Sequence, residues 1–312
     1  MKGTVIKNTG SWYTVRLWDG EIYECRIKGN FRIKGIKTTN PVAVGDRVEL
    51  DSVENDKIGL ITRIEERENC IIRRSTNLSK ITHILAANID QAILVVTLAF
   101  PRTSSGFIDR FLLAAESYFI PSILIFNKID LYEDELIELH QEFISVYQKA
   151  GYTCLETSAL RGDGLNELIH LMKDKTSMLS GHSGVGKSAL INAIAPEIHL
   201  KTGDVSSFSN KGKHTTTFAE MYALPFGGDI IDTPGIKEFG MYDFKKEEIS
   251  LFFPEMKPLI HNCQFTNCTH EHEPRCAIKQ AVKEGTISEM RYKNYLNIIN
   301  GREVDTPDWE LK

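Results

Sequence analysis

The chain has 312 residues, 42% of them hydrophobic, 9% aromatic and 25% charged. These proportions exclude a disordered or fibrous protein and leave length for two or three units with cores of their own. The net charge of −5 argues against a surface that binds polyanions indiscriminately; the longest apolar stretch, residues 92–100, is too short to span a bilayer. The first residues, M-K-G-T-V-I-K-N, do not read as a secretory signal, and a cytoplasmic monomer without membrane contact is expected.

Residues 1–68 contain five short strand-like runs, T-V-I-K, W-Y-T-V-R-L-W, E-I-Y-E-C-R-I, D-R-V-E-L and I-G-L-I-T-R-I, punctuated by Asn8-Thr9-Gly10, Asp19-Gly20 and Gly45-Asp46. Alternation with hairpin turns and no helical period predicts a small antiparallel β-barrel, either of OB type or another five-stranded form that binds nothing. The first 37 residues carry eight basic side chains (Lys2, Lys7, Arg16, Arg26, Lys28, Arg32, Lys34, Lys37) against three acidic ones (Asp19, Glu21, Glu24). With Trp12, Tyr13, Trp18 and Tyr23 in the same segment, two readings stand: an RNA-binding face of cations and stacking rings, or aromatics that fill the barrel.

Residues 69–240 alternate buried strands (I-D-Q-A-I-L-V-V, S-I-L-I-F-N, T-C-L-E-T-S, S-M-L-S-G, F-A-E-M-Y-A-L, G-D-I-I-D) with helical periods over Phe107–Tyr118, Glu133–Ala150, Gly164–Lys173 and Lys187–Ala195. Such alternation predicts an α/β unit, a doubly wound parallel sheet with helices on both faces. Residues 241–312 form a third unit, rich in Cys and His and ending in polar helices.

Within the α/β unit, Gly181-His182-Ser183-Gly184-Val185-Gly186-Lys187-Ser188 fits G-x-x-x-x-G-K-[S/T] between an apolar strand and a helix. Glycine lets backbone N–H groups curl around a polyphosphate, Lys187 reaches its outer phosphates, Ser188 can ligate Mg²⁺, and Ala189 continues the helix start that lends positive potential. Asp232-Thr233-Pro234-Gly235 follows a buried strand, so Asp232 can hold Mg²⁺ through water and the Gly235 N–H can approach a terminal phosphate. One of Thr215, Thr216 and Thr217 can complete the Mg²⁺ shell as a γ-phosphate-dependent switch, with Thr216 put forward for it; the alternative is a polar loop.

Asn127-Lys128-Ile129-Asp130 ends another strand. A carboxylate at Asp130 can accept the ring N–H and exocyclic amine of guanine, a donor pair adenine lacks. Asn127 would brace the site, the Lys128 stem would lie on the base plane, and a backbone N–H of Ser158-Ala159-Leu160 would meet the base oxygen. GTP or GDP is therefore the expected ligand.

These signals resemble those of the translation-factor class of GTPases, but the base motifs at 127 and 158 precede the phosphate loop at 181, the threonines at 215 and D-T-P-G at 232. That is a circular permutation, which a compact domain with neighbouring termini tolerates. Together with A-A-N-I-D-Q-A-I-L-V-V, I-D-R-F-L-L-A-A-E, G-K-H-T-T-T and C-Q-F-T-N-C-T-H-E-H-E-P-R-C, the motifs resemble the RsgA (YjeQ) family of bacterial GTPases over essentially the whole chain. The resemblance implies an OB barrel, a permuted GTPase domain and a zinc domain. It also implies GTP hydrolysis stimulated by the small (30S) ribosomal subunit, and a role late in that subunit's assembly, with its rRNA as partner.

Ile236 stands after D-T-P-G, where many small GTPases carry a water-orienting Gln, so slow intrinsic turnover is expected. His214 is the candidate to position water; the alternative is a switch-loop His that contacts phosphate, RNA or nothing. Cys263, Cys268, His270 and Cys276 offer a closed tetrahedral set for one structural Zn²⁺, with His261 or His272 as substitutes for His270. Competing functions are a zinc hydrolase built on H-E-H-E, a non-catalytic RNA-binding protein, and a GTPase of another ribonucleoprotein.

Overall fold

The computed structural model describes residues 1–28, 41–52, 57–74, 82–98, 100–198, 219–232 and 244–302. Five strands occupy the predicted runs: β1 (Lys2–Asn8), β2 (Tyr13–Leu17), β3 (Ile22–Ile27), β4 (Arg47–Ser52) and β5 (Ile58–Ile64). Their alternation turns Val5, Tyr13, Val15, Leu17, Val48, Leu50 and Ile61 into one core. The order is β1-β2-β3-β5-β4, with β4 returning to β1 and β3 running parallel to β5, so the five strands close into an OB-type Greek-key barrel. The two readings of the aromatics divide by residue: Tyr13 is buried in the barrel, whereas Trp18 is 66% exposed.

A short antiparallel ribbon follows, β6 (Cys70–Arg74) and β7 (Thr82–Ala87), which the sequence reading missed. Both strands are brief and lack clean alternation, so periodicity alone does not separate them from the lead into the next strand. The ribbon joins barrel to α/β unit: the Ala87 N–H donates to Val44 O at 2.9 Å, and Asn88 donates through Nδ2 to Gly45 O at 2.9 Å. Gly45 has φ +90°, and a Cβ there would lie 2.0 Å from Ala87 O, so only glycine permits this approach.

The α/β unit comprises β8 (Gln91–Val96), α1 (Ser105–Ser117), β9 (Ser122–Asn127), α2 (Asp134–Lys149), β10 (Thr153–Thr157), α3 (Leu165–Met172), β11 (Thr176–Ser180), α4 (Lys187–Ile194), β12 (Glu220–Ala223) and β13 (Asp229–Asp232). Strands β10-β9-β8-β11-β13 are mutually parallel. One correction to the predicted sheet is needed: β12 runs antiparallel to β13. Only residues 224–228 separate them, and a parallel crossover needs a dozen residues or more. Helices α1 and α2 cover one face with Phe111, Leu112, Phe143 and Tyr147, while α3 and α4 cover the other with Leu168, Met172, Leu190 and Ile191.

The outer edge of β12 pairs with barrel strand β1 at Lys7↔Glu220, so barrel and α/β unit share one 11-stranded sheet. No helix among the described residues is long and apolar enough to cross a membrane.

The C-terminal segment holds α5 (Lys246–Ile249), α6 (Ala277–Lys283) and α7 (Glu289–Ile299), and α7 packs along α1. Arg291 of α7 is 1% exposed. It donates to Asp109 of α1 and, through Nε and Nη2, to Glu255 at 2.7 and 3.0 Å, with its guanidinium 4.7 Å from the Phe253 ring centre. Asn294 adds bonds to Asp109 (2.7 Å) and Ser105 (2.9 Å). Burial pushes the Asp109 carboxyl up, opposed by the Arg291 charge and the Asn294 amide. Removing one partner of such a cluster strands a buried charge, so Arg291→Met is expected to cost about 3–5 kcal/mol in urea unfolding; adding both Asp109→Leu and Glu255→Leu, which removes the two stranded carboxylates, should recover part of that loss.

Candidate nucleotide site and metal centre

The parallel registers bring five strand ends to one edge of the sheet. Thr157 stands beside Asn127, Val96 beside Phe126, Leu94 beside Ser180, and Leu179 beside Asp232. Ligands of open α/β sheets bind along this carboxyl edge, and the phosphate and base motifs both emerge there.

The loop after β11 turns through positive φ at Gly181 (+139°), Gly184 (+83°) and Gly186 (+96°) before α4 begins at Lys187. Lys187 Nζ donates to Gly181 O and His182 O at 2.6 and 2.7 Å, which holds the ammonium across the mouth of the loop. The His182 ring packs on Phe107 of α1, 3.9 Å between centres. Among the described residues Ser188 Oγ is buried without a hydrogen-bond partner, and a buried hydroxyl is rarely left so unless a ligand or ion completes it. Asp232 ends β13 nearby: burial pushes its carboxyl up, while the Lys187 ammonium draws it down. An orphaned hydroxyl, a carboxylate and an ammonium at a loop of turned-in N–H groups suit a hard divalent cation bound to polyphosphate.

The base motif is physically tied to this loop. Asn127 Nδ2 donates to Val185 O at 2.8 Å, and its Oδ1 accepts from Thr157 Oγ1 at 3.0 Å. A Cβ at Gly186 would lie 2.4 Å from that same Nδ2. Lys128, in a left-handed conformation (φ 65°), extends its Nζ to Phe100 O; its stem passes Gly186, with Cε 3.9 Å from where a Cβ would stand there. The Ser158 hydroxyl donates to Asp130 Oδ1 and accepts from Arg161 N–H, so serine orients the carboxylate. Because Ser158 N–H donates to Asp163 O at 3.1 Å, the following N–H of Ala159 is the better donor for a base oxygen. His214, Thr215, Thr216, Thr217, Gly235 and Ile236 lie outside the described residues.

The second centre is a Cys3His cluster. The ligand atoms of Cys263, Cys268, His270 and Cys276 all lie within 4.8 Å of one another. His270 faces the thiols through Nδ1, 3.3 Å from Cys276 Sγ and 3.6 Å from Cys263 Sγ, while Nε2 lies 3.2 Å from Ser250 Oγ. A hydrogen-bond partner on the second nitrogen is what orients a ligating imidazole. His261 is exposed, and so is His272, whose side chain is 88% accessible. Glu273 accepts from Thr269 N–H and Oγ1 (both 2.7 Å) and Glu271 N–H (3.1 Å); against the opposing effect of burial, these bonds hold its carboxyl down at about 2. Four good donors in a closed set can hold a metal ion but leave no position for reactive water.

Sequence reasoning missed Ser250, Thr157, Phe107 and the Asp109–Arg291–Asn294 joint. Each acts across a contact between segments distant in the chain, and none carries a spacing signature. The exception is Ser250, which could have been sought, since a ligating histidine needs a partner on its other nitrogen.

The model of the RsgA N-terminal domain matches residues 2–61, and that of the RsgA GTPase matches residues 64–242. The chain is 52% identical over 303 residues to a Bacteroides fragilis protein named small ribosomal subunit biogenesis GTPase RsgA, covering 97% of each. It is similar to YjeQ from Thermotoga maritima (TM-score 0.79, 34% identity, 96% of this chain and 97% of that one). It is likewise similar to YloQ, described as a circularly permuted GTPase (TM-score 0.75, 33% identity, 96% and 94%).

Two outcomes follow from this geometry. Asn127→Ala removes the tie between the loops and leaves Val185 O unpaired, a loss of about 1–3 kcal/mol; guanine-nucleotide affinity by titration calorimetry should fall roughly fivefold to a hundredfold with it. Cys268→Ser, or a strong chelator, should release a metal and deprotect residues 250–276 in hydrogen exchange, while β8 and β9 stay protected.

Proposed function

The chain belongs to the RsgA GTPase family and is a GTP-hydrolysing enzyme, and from that premise we propose that it acts in late maturation of the small (30S) ribosomal subunit, which binds it through rRNA and stimulates its turnover. The observation that carries the nucleotide part is the Asn127–Val185 bond, which makes base recognition and phosphate binding one rigid surface.

In this reading Asp130 accepts the guanine donors, Asn127 and Lys128 fix the base loop, and Ser158-Ala159 meets the base oxygen. The segment from Gly181 to Ala189 takes the phosphates, with Lys187 swinging from Gly181 O and His182 O to the outer oxygens. Ser188, Asp232 and Thr216 would hold Mg²⁺, which supplies charge neutralisation on the β- and γ-phosphates. Gly235 would follow the γ-phosphate and His214 would place the attacking water. Ile236 gives this chain no Gln for that task, so a partner that orders the loop raises the rate.

The cluster of Cys263, Cys268, His270 and Cys276 suits one structural Zn²⁺. The barrel is the RNA-binding unit: Lys2 lies 5.5 Å from the exposed Trp18 ring and Arg26 4.1 Å from that of Trp12, pairing cations with stackable faces as RNA surfaces do. We divide the chain into residues 1–68, 69–240 and 241–312, acting as a cytoplasmic monomer.

GTP turnover by the purified protein should rise at least about tenfold when small subunits are added; an unchanged rate would sink the ribosomal reading but leave the nucleotide site intact. Asp130→Asn should exchange guanine for xanthine preference, measured as the ratio of GTP to XTP hydrolysis.

A further inference from the structure

Glu220 occupies a place that no motif marks. It is the first residue of β12, three positions after Thr217. On one side it stands directly across from Asp232 of β13, and on the other directly across from Lys7 of barrel strand β1. Directly opposed residues of antiparallel strands project to the same face, so Lys7, Glu220 and Asp232 form one row over three strands. Lys7 Nζ closes on Glu220 Oε1 at 3.0 Å, and Tyr222 OH donates to the other carboxylate oxygen at 3.0 Å. Both oxygens are therefore held. The register sets its charge directly beside Asp232, at the edge of the phosphate site. A second pair, Arg16 Nη2 to Asp229 Oδ2 at 2.8 Å, fastens the barrel to the start of β13.

We propose that Glu220 is a positioning residue for the cation and phosphate site, and that Lys7 sets its effect, so that the placement of the barrel and the binding of the metal–nucleotide complex depend on one another. The inference rests on reading Asp232 as a contact of the magnesium ion. Glu220 adds negative charge behind Asp232, which favours a divalent cation. Lys7 offsets part of that charge, and does so only while β1 stays docked on β12. Whatever pulls the barrel strand away uncovers Glu220; conversely, a tightly held cation favours the undocked carboxylate.

The test is the Mg²⁺ concentration giving half-maximal binding of a fluorescent, nonhydrolysable GTP analogue to the full-length protein, with thermal unfolding as the check on folding. Glu220→Gln keeps the shape and removes the charge, and should raise that concentration about two- to fivefold, the size of a unit charge acting on a divalent ion through partly screened solvent. Lys7→Met should lower it by a similar factor, and its effect should vanish in the Glu220→Gln background. Asp232→Asn separates the two readings. If it leaves the Mg²⁺ dependence unmoved, the assignment of Asp232 fails. If it shifts the dependence while Glu220→Gln does not, the role of Glu220 is overturned. Lys7→Met acting equally in both backgrounds would overturn the link through Glu220.

Discussion

A single side-chain amide joins the two halves of the candidate nucleotide site. Asn127 ends β9 and donates to Val185 O, 58 residues away in sequence, inside the phosphate loop. A nucleotide has its base and its triphosphate at opposite ends, so a protein that binds both must hold two loops at fixed separation. The alternative is to lose binding energy to ordering them at each encounter. Here the amide does so with both of its polar ends engaged, Nδ2 on Val185 and Oδ1 on Thr157, and the absent side chain of Gly186 leaves it room.

This constraint explains why the motif order in the chain can be scrambled. The bond needs β9 and β11 to flank β8 with their carboxyl ends level, a matter of sheet register and not of which strand is made first. Loop-closure costs change only slowly with the length of the connection, so cutting and rejoining a compact domain alters connectivity while keeping the edge along which ligands bind. The permutation does change what lies next to β12 and β13. Strands β12 and β13 are bordered by the barrel through Lys7, Glu220, Arg16 and Asp229, and the chain runs on from β13 toward the Cys3His unit.

The two flanking units are attached by different physics. The barrel is held by strand pairing, by the buried contacts of Val44 and Gly45 with Ala87 and Asn88, and by the ion pairs Lys7–Glu220 and Arg16–Asp229, which are part-exposed and weakened by salt. The C-terminal unit is fastened to α1 by a buried guanidinium between two carboxylates, Arg291 with Asp109 and Glu255. Breaking that joint strands charges that are buried with each other and with the Asn294 amide. The same α1 carries Phe107 against His182 of the phosphate loop, between the Ser105 and Asp109 that α7 holds, so the C-terminal unit and the phosphate loop both bear on the N-terminal half of one helix.

Much of this was legible in the chain because the relevant physics is local. Alternation set the five barrel strands, a 3.6-residue period set α1 to α4, and glycines at 181, 184 and 186 marked a loop whose backbone must turn through positive φ. Cysteine and histidine spacing named the four members of the metal cluster. What required the folded molecule was every contact made at a distance. The antiparallel setting of β12, the β6–β7 ribbon, the partner of His270 in Ser250, the Arg291 joint and the row from Lys7 to Asp232 all depend on which surfaces meet. Meeting surfaces are selected by the burial of whole faces, to which no single residue's neighbours in sequence bear witness.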